Sequence, residues 1–91
     1  VVKGNNISSL QDQNQLAQAQ QSILHLQRAV NQAKSHPNEE ILHQIQHSIE
    51  RAERSIAQAA NVTDDQNAMD LVQRELDQQK QAYEQIIDQG R

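Results

Sequence analysis

Cysteine, phenylalanine and tryptophan are absent from this 91-residue chain, while proline and tyrosine occur once each and glycine twice. Each gap excludes something. Without cysteine there is no disulfide frame, no thiolate zinc site and no cysteine nucleophile. With one aromatic and two glycines, a β-sheet would lack both its usual strand residues and its turn residues. No apolar run approaches the roughly 18 residues that a membrane span needs. There is no signal-peptide pattern. The chain begins Val1-Val2-Lys3-Gly4, without methionine, which reads as a fragment, a processed chain or a trimmed one and leaves room for a removed leader.

Enzyme signatures are missing as well. There is no glycine-rich phosphate loop and no H-E-x-x-H arrangement. Ser22, Ser48 and Ser55 fall inside helical stretches, where no sharp turn presents a nucleophile. The carboxylate pairs Glu39/Glu40, Glu50/Glu53 and Asp64/Asp65 read as helix-start or surface charges. A thin bundle seldom encloses the water-excluding pocket that catalysis wants. The sequence therefore predicts no enzyme, no catalytic residue and no cofactor.

What the chain does have is glutamine, at eighteen positions, with alanine, leucine, glutamate and arginine beside it. All are good helix formers. Leu, Ile and Val make up 20 of 91 residues, so the core will be thin, just above the level where disorder takes over. A domain this small gains from dimerisation or from a partner. The net charge is −4 and unevenly spread: +2 over residues 1–35, −2 over 36–60 and −4 over 61–91. Nucleic acid and acidic lipid both need clustered Lys and Arg, so this balance opposes either partner.

Apolar residues recur at three-then-four spacing in three stretches. The first holds Leu16, Ala19, Ile23, Leu26, Val30 and Ala33. The second holds Leu42, Ile45, Ile49, Ala52, Ile56 and Ala59. The third holds Met69, Val72, Leu76, Gln79, Tyr83 and Ile86. Such seams are the signature of amphipathic helices. The punctuation agrees: Ser8 and Ser9 cap the first helix, Pro37 suits the first turn of the second, and Glu39 and Glu40 sit at its positive dipole end. Thr63-Asp64-Asp65-Gln66 reads as a capping box for the third, and Gly90 stops it. The sequence predicts an all-α, three-helix, up-down-up antiparallel bundle with helices near 9–35, 38–60 and 64–89. Residues 1–7 read as a flexible lead-in and 8–91 as one domain. The alternative is a helical hairpin that completes its core as a dimer. Gln79 breaks the third seam, where a polar residue can fix register. Tyr83 should pack its ring at a bundle end.

Two features are candidates for function. The first is a second apolar stripe on helix 1. Leu10, Ala17 and Leu24 recur every seven residues, roughly 150° around the helix from the main seam. Gln20 flanks them, and the stretch from Gln13 to Gln27 contains no Asp, Glu, Lys or Arg. An uncharged face with spaced leucines suits a partner helix, although isolated exposed leucines are also ordinary on protein surfaces. The predicted partner interface is Leu10, Ala17, Gln20 and Leu24. The second is the pair His43 and His47, one turn apart, with Glu40 and Glu50 on the same stripe. Such a pair can bind zinc, nickel or copper. This stripe lies opposite the second seam and faces water, so the pair reads as a solvated polar face or a weak metal site. The sequons at Asn6-Ile7-Ser8 and Asn61-Val62-Thr63 coincide with helix starts and read as caps.

Stretches such as Gln18-Ala19-Gln20-Gln21-Ser22-Ile23 and Ala29-Val30-Asn31-Gln32-Ala33-Lys34-Ser35, with the turn His36-Pro37-Asn38-Glu39, resemble small uncharacterised all-helical proteins of spore-forming Gram-positive bacteria. That resemblance implies a cytoplasmic bacterial protein and carries over no functional residues. The pattern also looks like the three-helix modules of bacterial surface proteins, which would place it outside the cell. The expected function is a non-enzymatic protein–protein interaction or self-association module, with a homodimer as one form. The alternatives are a spacer unit of a larger surface or phage assembly, and a weak metal-binding helix through His43 and His47.

Overall fold

The computed structural model describes the backbone of residues 2–89 and the side chains of residues 14–89. Three helices follow one another: α1 (Val2–Ser35), α2 (Glu39–Val62) and α3 (Gln66–Gln89). Each packs against both others, most extensively α1 against α2. The links are residues 36–38 and 63–65, too short for anything but antiparallel neighbours. The chain is therefore a three-helix up-down-up bundle. The first helix starts earlier than the expected residue 9: α1 runs on from Val2, so Ser8 and Ser9 stand within it instead of capping its start. The side chain of Leu10 and residue Gly90 lie outside what the structure describes.

The core follows the seams. Ala19, Ile23, Leu26, Val30 and Ala33 of α1 are buried, as are Ile45, Ala52, Ile56 and Ala59 of α2 and Met69, Val72, Leu76 and Tyr83 of α3. Leu16, Leu42, Ile49 and Ile86 are half-buried and pack on its margin. One seam residue is corrected: Ile41, not Leu42, is the buried position in the first turn of α2. Ile41 stands one turn before the fully buried Ile45 on the same face of α2, while Leu42 borders the furrow between α2 and α3. Each fully buried Leu or Ile contributes roughly 1.5–3 kcal/mol. The alanines contribute less area but let the helix backbones approach closely.

The turns also correct the sequence reading. Asn38, not Pro37, stands at the start of α2: its backbone is extended (φ −153, ψ 165) and its Oδ1 accepts the Ile41 N–H at 2.9 Å. Pro37 precedes the cap, where its fixed φ directs the chain into the turn. At the second turn, Thr63 ends α2 instead of opening α3, its N–H donating to the Ala59 carbonyl at 2.9 Å. Asp65 is the cap of α3, accepting the Ala68 N–H at 3.1 Å, while Thr63 Oγ1 accepts the Asp65 N–H at 3.2 Å. A capping box would need Gln66 to reach back to the Thr63 N–H. That N–H is already spent on α2, and Gln66 Nε2 donates forward to Asp70 Oδ1 at 3.0 Å. None of the helices is long and apolar enough to cross a membrane, among the described residues.

Candidate interaction surface

Helix α1 turns its seam inward and carries Leu24 outward. Leu24 is 51% exposed, while its neighbours Ile23 and Leu26 are at 1% and 0%. The reason is helical geometry: at about 100° per residue, one step from Ile23 carries the side chain off the buried arc. Ala17 and Gln20 are exposed on the same side. The structure thus brings three of the four expected interface residues to one outer face. The side chain of the fourth, Leu10, lies outside the described residues.

His43 and His47 are both exposed, one turn apart on α2. They border different furrows. His43 lines the one between α2 and α3, beside Tyr83 and Ile87. His47 lines the one between α1 and α2, together with His25. Among the described residues no group of three or more His, Asp or Glu side chains is placed to hold a metal ion. Tyr83 is buried and borders a furrow with Leu42 and Ile87, near the start of α2 and the end of α3. Gln79 is half-buried.

Sequence reasoning missed a larger feature. The α1–α2 furrow is lined by His25 and Arg28 from α1 and by His47 and Arg51 from α2, with glutamine and serine between them and no carboxylate. It continues toward Gln18 and Ser55 over the buried Ser22 hydroxyl, again without a carboxylate. Ser22 and Ser55 hydroxyls lie 3.2 Å apart at its floor. Among the described residues the one ion pair within 4 Å is Lys80 with Glu53, at 3.1 Å between α3 and α2. Arg28 and Arg51 are exposed and have no such partner. Two helices contribute one arginine each, so no single-helix pattern could reveal the cluster. The legible signal was the positive balance of residues 1–35 in an acidic chain.

Leu24 adjoins this furrow, sharing a surface depression with His25 and Arg28. The described furrows are open to solvent along their length, so they offer shape and charge for docking and little exclusion of water for chemistry. Comparison with protein-family models, curated proteins and solved structures finds no match to this chain.

Proposed function

We propose that this protein is a non-enzymatic helical interaction module, self-associating or docking a partner protein through the outer face of α1. The observation that carries the reading is Leu24, a large apolar side chain 51% exposed on a folded bundle. It stands on a stretch without Asp, Glu, Lys or Arg from Gln13 to Gln27. Ala17 and Gln20 extend the face and leave it flat enough for another helix to lie along it. Leu10 continues the same seven-residue period in the sequence. Apolar anchors with a polar surround are the usual anatomy of such contacts.

The test is Leu24→Glu. A charge at the centre of an apolar contact must be desolvated to bind, so association should weaken roughly tenfold or more. Sedimentation equilibrium, with the circular dichroism of the same samples, reads both association and helix content. Unchanged association, either with itself or with a partner isolated on the native protein, would remove the proposal.

A further inference from the structure

The α1–α2 furrow has an electrostatic counterpart on the same molecule. Along the outer flank of α3, Asp70, Asp77 and Glu84 recur every seven residues and all three are exposed, with the exposed Arg74 between the first two. Successive members are about 10.5 Å apart along the helix. Gln66 Nε2 holds Asp70 Oδ1 at 3.0 Å and Gln73 Nε2 holds Asp77 Oδ1 at 3.3 Å. Both carboxylates are thereby oriented, and each keeps its second oxygen free to accept. The furrow opens between α1 and α2, away from α3. The stripe lies beyond the core, on the other side of the bundle. The two surfaces cannot meet within one chain.

We propose that the furrow docks the outer face of α3 from a second copy of this chain, with Asp77 and Glu84 against Arg28 and Arg51. Charge complementarity selects this occupant. Two arginines without ion-pair partners present forked donors suited to carboxylates, and His25 and His47 add ring N–H groups along the furrow. A long polyanion is disfavoured, because the remaining surface carries the excess negative charge of a −4 chain and repels it. A helix bearing regularly spaced carboxylates answers the furrow without that penalty, and α3 is such a helix. The contact rests on the proposed function in one respect: Leu24 stands at the rim of the docking face. Because two different surfaces meet, the contact is head-to-tail. It leaves a free furrow at one end of a dimer and a free stripe at the other, so copies add without closure unless a ring forms.

The experiment is a complementation of charge variants read by sedimentation equilibrium on the full chain. One variant is Arg28→Glu with Arg51→Glu. The other is Asp77→Lys with Glu84→Lys. All four positions are solvent-facing, and circular dichroism checks that helix content is kept. The native protein should grow in mass with concentration and associate less at about 500 mM salt than at about 50 mM, as screened charges require. Each variant alone should associate roughly tenfold more weakly or worse, since like charges then face each other. An equimolar mixture should recover association, because the first variant keeps a native stripe and the second a native furrow. A native protein that stays monomeric overturns this inference but leaves docking of a foreign partner through Leu24 standing. Association that ignores salt, or survives either variant, or is lost in both and not restored by mixing, overturns it too. If Leu24→Glu dissociates the native assembly while the charge variants do not, the interaction module stands and the α3 contact falls.

Discussion

Ser22 of α1 and Ser55 of α2 face each other hydroxyl to hydroxyl at 3.2 Å, beneath the furrow that joins their helices. Ser22 is buried and Ser55 half-buried, so the two ends of the bond are unequal. Removing Ser55 strands a buried hydroxyl. Removing Ser22 leaves a hydroxyl that water can reach. A stranded buried group costs about 1–3 kcal/mol, whereas removing both partners together can be nearly neutral. Back-bonding of the Ser22 hydroxyl to its own helix lowers the first figure, and alanine is the better helix former. We expect Ser55→Ala to destabilise by about 1 kcal/mol, Ser22→Ala by less, and the double variant by least of all. Urea unfolding of the four proteins in a double-mutant cycle measures the coupling. Additive losses would mean that the hydroxyls do not act as a pair.

The turns give a sharper comparison. Asn38 and Asp65 each accept an N–H three residues on, and losing such a cap costs about 1 kcal/mol. Asn38→Ala and Asp65→Ala should therefore each lower the melting temperature by about 4–8 °C. Thr63→Ala removes only the bond to the Asp65 N–H and should cost less than Asp65→Ala. The opposite order would restore Thr63 as the cap of α3. Thermal melts followed at 222 nm read all three variants.

The bundle was legible because its information is local and periodic. Ile23, Leu26 and Val30 hold a helical phase through a glutamine-rich stretch of good helix formers. The exposure of Leu24 was legible for the same reason, since a helical wheel places it unaided. Two kinds of feature were not. The caps depended on which of several competent side chains took the N–H groups: at Thr63-Asp64-Asp65 every residue can cap, and the length of α2 decided between them. The furrow depended on pairing between helices. Arg28 and Arg51 are 23 positions apart in the chain, and only the α1–α2 packing makes them neighbours. The unequal charge of the thirds of the chain pointed to an electrostatic asymmetry without saying which residues would converge.

Lys80 and Glu53 form an ion pair at 3.1 Å between α3 and α2, with side chains 40% and 49% exposed. A pair this open to water gains little from Coulomb attraction and is screened by salt. Double-mutant analysis with Lys80→Gln and Glu53→Gln should give a coupling below about 1 kcal/mol, shrinking further at high salt. A larger coupling would mean that the pair, and not the apolar seam, fixes α3 against α2.

Leu24 and Leu26 are two residues apart on one helix, yet they are 51% and 0% exposed. Two steps of about 100° each carry the side chain from the solvent-facing side of α1 into the centre of the bundle. The same substitution should therefore have different consequences at the two positions. Leu26→Ala leaves a cavity among Ile23, Val30 and the facing helices, at a cost of about 2–5 kcal/mol. In a domain with a thin core this is a large share of the total stability, which for small proteins is about 5–15 kcal/mol, and partial unfolding at room temperature is an expected outcome. Leu24→Ala removes a side chain that water already reaches, and the stability of the isolated chain should change by no more than about 0.5 kcal/mol. Denaturant titration at a concentration low enough to keep the protein monomeric compares the two. If the interaction face is where Leu24 stands, Leu24→Ala then shows its effect only as the concentration is raised: the native protein gains stability through association, and the variant gains less. Equal losses for the two leucines in the dilute sample would place Leu24 in a buried contact and remove the outer face of α1 as a docking surface.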